Sequence, residues 1–302
     1  MNRYWGYLSV ITATIFFGIW NTFSKILLQY LDPIALSAIV YTIAGVFLFL
    51  VRFSPFNNRI MSILDGDANA ETFISRKDYG ILIITAVSGS VIAPIIYLNG
   101  LNLITAVNAS LLMNVETLFI IILGILFLKE RFHKRDIFGF LFLIIGTVFL
   151  ATNGNIGNFL RGNNIGNMLV IIAALFYGID TILSKFLSNK RDLIMVSAIK
   201  CSIGGSILLL LSFIMGMKFS VPLNQIPYLL FIGLVSIGFS FVLVYFAIRR
   251  IGSTRTGSIF SLSSLFGAIF AFIILSEPFT ISQLIFGLLM LVGVFVLYKN
   301  GE

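Results

Sequence analysis

Long apolar runs separated by short polar breaks make up most of this chain. A helix that crosses the hydrocarbon core of a bilayer needs about 20 largely apolar residues. Ten segments of roughly that length fit between breaks that carry charge, Gly or Pro. The predicted spans are residues 5–29, 34–52, 79–98, 104–128, 135–152, 167–187, 193–215, 226–248, 255–275 and 281–298. The pattern therefore predicts an all-α integral membrane protein with ten transmembrane helices.

Composition supports a lipid environment and argues against several kinds of site. Of the 302 residues, 59% are hydrophobic and 11% are charged, whereas a soluble domain carries charge on about a quarter of its residues. A single cysteine, Cys201, excludes a disulfide framework and a thiolate metal site. A single histidine, His133, argues against a zinc or haem centre. We therefore predict no cofactor and no bound metal.

The basic residues are distributed unevenly across the predicted loops. Positive residues accumulate on the cytoplasmic side of membrane proteins. With the N terminus inside, outward segments carry only Arg161 and Lys218, and Lys25, Lys185 and Lys200 lie within spans. The remaining fifteen of the 20 cations face inward: Arg3, Arg52, Arg59, Arg76, Lys77, Lys129, Arg131, Lys134, Arg135, Lys190, Arg191, Arg249, Arg250, Arg255 and Lys299. We predict a multi-pass protein of the cytoplasmic membrane with both termini inside, and the net charge of +8 needs no nucleic-acid partner.

An internal repeat divides the chain. Residues 16–25 (FFGIWNTFSK) and 176–185 (FYGIDTILSK) are identical at five of ten positions, so the first span recurs as the sixth. We predict one five-helix repeat in residues 1–152, an Asn/Gly-rich linker in 153–166 and a second repeat in 167–302. Because each repeat has an odd number of spans, the second enters the membrane upside down. Inverted repeats with a midplane binding site are typical of secondary transporters.

Further motifs carry a resemblance to a known family. They are Trp20-Asn21 with Lys25 in the first span, Glu130 and Glu277 closing the fourth and ninth spans, and glycines in the fifth and tenth spans at Gly139, Gly146, Gly287 and Gly293. In their order and duplication, these motifs resemble the drug/metabolite transporter superfamily, and within it the EamA-type ten-helix branch. The resemblance implies export or exchange of amino acids and other small polar metabolites. The chain departs from the family pattern at Thr117, where proline is common, and at Ser263, which stands where the first repeat has Glu116.

Ionisable groups at membrane depth are costly and usually line a cavity or pair with one another. Glu116 lies at the middle of the fourth span, where it could bind a substrate ammonium group, take up a proton or pair with a lysine. Asp180 shares a polar stripe of the sixth span with Tyr177, Thr181 and Ser184, which either faces a cavity or joins helices. If transport is proton-coupled, Glu116 is the first candidate carrier and Asp180 the second.

The three lysines within spans have two interpretations. Lys25 and Lys185 occupy equivalent repeat positions near opposite membrane faces, where they could form gates or attract an anionic group. Alternatively, each side chain snorkels to the nearer interface. Lys200, near the cytoplasmic end of the seventh span, is interpreted as a snorkelling anchor.

Several other side chains are candidate cavity linings or helix-end groups. Regular helix geometry places Asn114 about 200° around the axis from Glu116, so the two side chains should not share one cavity. Glu130 and Glu277 are predicted to accept N–H bonds from the start of the following helix. The candidate lining residues with aromatic, hydroxyl or amide groups are Trp20, Asn21, Tyr97, Asn114, Tyr245 and Ser263.

The leading hypothesis is a secondary transporter of a small polar solute, with amino acids as one candidate, working by alternating access. One alternative is an exchanger of nucleotide-sugar or phosphate anions, served by Lys25 and Lys185. An alternative of another class is a membrane-embedded enzyme that acts on lipid-linked substrates. The enzyme alternative would need clustered catalytic groups, whereas the ionisable groups of this chain are few and separated. We expect a functional monomer, because ten helices could enclose the site, and a dimer is the alternative.

Overall fold

The computed structural model describes residues 3–56, 60, 74, 76–128, 136–152, 164–188 and 191–300, and all of the regular elements over these residues are helices. Eight helices are long and apolar enough to cross a membrane, and Asp136–Thr152 and Ile281–Leu297 are shorter apolar helices. The helices are α1 Arg3–Leu27, α2 Pro33–Arg52, α3 Arg76–Leu103, α4 Ala106–Leu128, α5 Asp136–Thr152, α6 Ile165–Ser188, α7 Leu193–Ile214, α8 Leu223–Ile251, α9 Ser253–Leu275 and α10 Ile281–Asn300. The ten predicted helices and the all-α fold are confirmed.

Some predicted boundaries were wrong. Helix α3 continues to Leu103 rather than residue 98, so only Ile104 and Thr105 separate it from α4. Thr105 caps α4, because its side chain accepts a hydrogen bond from the Asn108 backbone N–H. Helix α6 begins at Ile165, two residues inside the predicted linker. Residues 57–59, 61–73 and 75 of the long loop and residues 153–163 of the linker lie outside the described residues.

Four of the helices are interrupted, and the interruptions occur in corresponding order in the two halves. Helix α3 contains a π-helical segment at Val87–Ile92, and α8 contains one at Ile232–Phe239. Helix α4 breaks between Leu112 and Val115, and α9 breaks between Phe260 and Ser263. A π-helical segment or a break disturbs the regular backbone ladder, and such sites often lie where helices carry function.

Helices α2 and α7 pack closely through reciprocal contacts. A Cβ on Gly45 would lie 3.0 Å from the backbone nitrogen of Ser202, and a Cβ on Gly205 would lie 2.8 Å from that of Thr42. Residues 32–50 and 192–210 are identical at nine of nineteen positions when Gly45 is aligned with Gly205, a repeat that the sequence analysis missed. Each contact is the counterpart of the other in the repeat alignment, as two copies related by a twofold axis would require.

The same relationship recurs where α1 and α6, the first helices of the two halves, each cross the other half. A Cβ on Gly18 of α1 would lie 3.2 Å from the carbonyl oxygen of Ser263, and one on Gly178 of α6 would lie 3.6 Å from that of Glu116. Glu116 and Ser263 therefore occupy corresponding places in α4 and α9. Each lies within two residues after its helix break, on the element that contacts the other half.

Candidate functional site

Glu116 and Thr181 meet near the middle of the helix bundle. The Thr181 hydroxyl donates to Glu116 Oε1 at 2.8 Å, and no described side chain forms an ion pair with this carboxylate. Glu116 is partly exposed and Thr181 is exposed. At 1.5 Å per residue, Glu116 lies about 15 Å from the start of α4 and about 18 Å from its end. A carboxylate at this depth is stable against water or a polar ligand, and it is costly against lipid.

The break in α4 changes the geometry assumed for Asn114. The 200° separation from Glu116 holds only for a regular helix, and Met113–Asn114 are turn residues between two helical segments. The two side chains nevertheless have different partners. Asn114 Oδ1 accepts a hydrogen bond from Ser264 of α9 at 2.9 Å, whereas Glu116 contacts α6. Asn114 is buried, and its Nδ2 has no hydrogen-bond partner among the residues that the structure describes. Ser264, the neighbour of the candidate lining residue Ser263, makes this contact between α4 and α9.

Asn21 joins three helices through a buried polar chain. The Tyr97 hydroxyl of α3 donates to Asn21 Oδ1 at 2.6 Å, and Asn21 Nδ2 donates to Ser110 Oγ of α4 at 2.8 Å. Trp20, next to Asn21, is only 2% exposed, so it packs inside the protein. The Tyr97 ring meets the Tyr177 ring of α6 edge to face, with centroids 6.4 Å apart. The structure thus brings Asn21, Tyr97 and Tyr177 together in a buried cluster, and their role in lining a cavity stays a prediction.

Asp180 and Lys200 form a buried ion pair between α6 and α7. Lys200 Nζ donates to Asp180 Oδ2 at 2.6 Å, and the Ser184 hydroxyl donates to Asp180 Oδ1 at 3.0 Å. The Tyr245 hydroxyl of α8 donates to Ser184 at 3.2 Å. Lys200 is 2% exposed, so the prediction of a snorkelling anchor was wrong. A carboxylate within reach on the neighbouring helix holds the lysine inside, and a single span cannot reveal such a partner.

Lys25 is also bound to the protein. Its ammonium donates to the carbonyl oxygens of Leu101, Asn102 and Ile104, at 2.6, 3.1 and 2.8 Å. These carbonyls lie at the end of α3, where backbone acceptors have no partners within the helix. Lys25 therefore stabilises the end of α3. The equivalent Lys185 side chain lies outside the described residues, as do Glu130 and His133.

Glu277 contacts a helix start, although not the predicted one. Its Oε2 accepts the backbone N–H of Val107 at 3.0 Å, at the beginning of α4 rather than of α10. The bond joins the loop between α9 and α10 to the other half of the chain. The prediction was right about the kind of partner and wrong about the helix.

Ion pairs also join the halves at the opposite end of the bundle. Arg52 of α2 pairs with Asp192, and Arg191 pairs with Asp78 of α3. Asp192 also caps α7 by accepting the Met195 N–H at 3.0 Å. Across the described parts of the chain, no three His, Cys, Asp or Glu side chains cluster as a metal site would require. The described chemistry is that of an embedded carboxylate, a neutral ion pair and aromatic and amide groups.

The comparisons with known proteins agree with this architecture. The model of the EamA-like transporter family matches residues 4–152 and again residues 164–299. The chain belongs to this family. It is a multi-pass membrane transporter.

Similar proteins carry matching descriptions. A protein of Methanothermobacter thermautotrophicus described as an uncharacterized transporter is 50% identical over 303 residues, which cover 100% of this chain and 88% of that protein. The uncharacterized transporter YoaV of Bacillus subtilis is 24% identical over 294 residues, covering 96% and 95% of the two chains. A crystal structure matches with a TM-score of 0.68 at 16% identity, over 100% of this chain and 99% of that one, which supports the fold alone.

Proposed function

We propose that this EamA-family protein is a secondary transporter that exports or exchanges a small polar metabolite bearing a positively charged amino group, with amino acids as the first class to test. The observation that carries the proposal is the Glu116–Thr181 contact. Glu116 is a partly exposed carboxylate at the middle of the bundle, and its hydrogen-bond donor is a neutral hydroxyl. An ammonium group would supply the missing positive charge.

The proposed mechanism is alternating access by two inverted five-helix repeats. The reciprocal contacts of Gly45 with Ser202 and of Gly205 with Thr42 support a twofold relationship between them. The breaks in α4 and α9 lie next to Glu116 and Ser263, where each half meets the other. We propose that the halves rock about this region, with both termini on the cytoplasmic side of the cell membrane.

Two contact sets are suited to control access from opposite ends. At the end where α2 finishes, Arg52–Asp192 and Asp78–Arg191 hold the halves together. At the other end, Glu277 binds the start of α4. In a rocking motion, one set must separate while the other forms or persists. The Asn114–Ser264 bond lies between the two sets and is suited to act as a pivot.

The alternative of an anionic nucleotide-sugar or phosphate substrate lacks support from the described lysines. Lys25 donates to three backbone carbonyls, and Lys200 is paired with Asp180. An anion would have to displace one of these partners. If transport is coupled to protons, Glu116 is better suited to carry them than Asp180, because Lys200 already compensates the Asp180 charge.

The experiment is flux into proteoliposomes that contain the purified protein, measured for amino acids, simple amines and nucleotide sugars at two external pH values. We expect flux of at least one amine-bearing solute, and its loss in Glu116→Gln. Asp32→Asn is the matched control, because it removes the charge of an exposed carboxylate that makes no cap hydrogen bond to α2. Selective flux of nucleotide sugars, or amine flux that is unchanged in Glu116→Gln, would contradict the proposed site.

A further inference from the structure

Both charges of the Asp180–Lys200 pair have partners within the protein. Asp180 accepts hydrogen bonds from Lys200 and Ser184, and the Lys200 ammonium lies 4.6 Å from the centroid of the Phe241 ring. Asp180 is 7% exposed and Lys200 is 2% exposed. A carboxylate and an aromatic face together stabilise a buried ammonium group. Within the membrane, the pair therefore contributes no net charge.

The fold does not require an ion pair at this place. In the repeat alignments, Trp20 of α1 is equivalent to Asp180, and Val40 of α2 is equivalent to Lys200. Trp20 is 2% exposed and Val40 is 0% exposed, so the first half fills the corresponding volume with apolar side chains. Replacing a buried ion pair by apolar residues is often neutral or stabilising. Packing alone therefore does not explain the charges in the second half.

The position of Asp180 connects the pair to the proposed transport site. Asp180 directly precedes Thr181, whose hydroxyl binds Glu116 at 2.8 Å. The Asp180 carboxylate and the Thr181 hydroxyl that binds Glu116 thus belong to neighbouring residues of α6. Without Lys200, this region would hold two negative charges. With Lys200, the only uncompensated carboxylate among them is Glu116.

We propose that Lys200 is a built-in counter-ion that determines the charge selectivity of transport. By neutralising Asp180, it leaves a site with one negative charge, which favours substrates with one ammonium group over substrates with two. A dication would place its second charge beside a carboxylate that already has a partner, in surroundings of low polarity. Lys200 acts through Asp180 and need not touch the substrate. The inference rests on the proposed function, because it takes Glu116 as the ammonium site.

The test compares two probes of the same length, butylamine and 1,4-diaminobutane, which differ by one positive charge. Their dissociation constants are measured from ligand-dependent shifts in the thermal unfolding of the purified protein in detergent. Wild type should prefer butylamine. In Lys200→Met, the affinity ratio of diamine to monoamine should rise roughly tenfold or more. Lys200→Arg should retain the wild-type ratio, and Asp180→Asn/Lys200→Met should lose the gain.

The variants separate this inference from the proposed function. If Glu116 is not an ammonium site, neither probe binds to wild type through Glu116. Lys200→Met then gains affinity for both probes equally, because both bind at the unpaired Asp180. The selectivity inference is overturned if folded Lys200→Met keeps the wild-type ratio, or if the double variant keeps the gain. Should Lys200→Met fail to fold, Lys200→Gln removes the same charge with a polar side chain, and the same outcomes apply.

Discussion

Gly89 lies directly against the carboxylate of Asp180. A Cβ built on Gly89 would overlap both the carboxylate carbon and an oxygen of Asp180, and it would lie 2.6 Å from the Asp180 Cβ. Gly89 belongs to the π-helical segment of α3, and the hydroxyl of Tyr41 donates to its carbonyl oxygen at 3.2 Å. The first half therefore leaves space for a charge of the second half.

Gly89→Ala should displace Asp180 and weaken its bond to Lys200. We expect a loss of about 1–3 kcal/mol in stability from overpacking, with reduced transport. The measurement is thermal unfolding in detergent together with flux. Gly80→Ala in the same helix is the matched control, because among the described residues no neighbouring atom lies within 4 Å of a Cβ at Gly80. Equal behaviour of the two variants would show that the close approach at Gly89 has no energetic effect.

Removing one member of the buried ion pair should cost more than removing both. Asp180→Asn or Lys200→Met alone leaves an uncompensated polar or charged group, and we expect a loss of about 3–5 kcal/mol. The double variant should recover most of that loss. A double-mutant cycle on unfolding free energies measures the coupling. Additive single effects would mean that the two side chains do not stabilise each other.

Lys25→Met should destabilise the end of α3, because three carbonyl oxygens lose their donor. The expected loss is about 1–3 kcal/mol, accompanied by faster hydrogen exchange in residues 101–105. Lys218→Met removes a cation from an exposed loop position and serves as the control. If flux fell while stability and hydrogen exchange stayed at wild-type values, Lys25 would act in transport rather than as a helix-end donor.

Gly45→Val and Gly205→Val should have similar effects, since each glycine meets the backbone of the partner helix. We expect each variant to lose about 1–3 kcal/mol through overpacking, with lower unfolding temperatures than Gly80→Val. Strongly unequal losses would indicate that the two contacts are not energetically equivalent, despite their reciprocal geometry.

The membrane orientation can be tested by cysteine labelling. Cys201 is the single cysteine of the chain and it is buried, so Cys201→Ala provides the background. A cysteine at Lys218 should react with a membrane-impermeant reagent from outside intact cells. A cysteine at Arg3 should react only after the membrane is opened. The reverse pattern would invert the proposed topology.

The sequence was sufficient to predict the ten helices, because each span is a continuous apolar run whose length matches the bilayer. It did not reveal the break at Met113–Asn114 or the π-helical segment at Val87–Ile92. Both lie inside apolar runs, and neither carries the charges or prolines that mark a boundary. The α2–α7 repeat was a detectable signal, and aligning residues 32–50 with 192–210 would have found it.

The candidate site was predictable as a set of residue types but not as a set of partners. The cost of charge in a membrane singled out Glu116 and Asp180. That Lys200 pairs with Asp180, and that Lys25 binds the end of α3, depends on contacts between helices far apart in sequence. No local pattern distinguishes a lysine that snorkels from one that reaches inward to a carboxylate or a carbonyl.

The reciprocal glycine contacts also bear on the ancestry of the chain. If one five-helix segment once assembled with an inverted copy of itself, a single glycine would have supplied both contacts, and every substitution would have appeared twice in the assembly. Joining the copies in one chain removed that constraint. The halves could then diverge, with Asp180 and Lys200 in one and Trp20 and Val40 at the equivalent positions of the other, so that an asymmetric charge could evolve within a repeated scaffold.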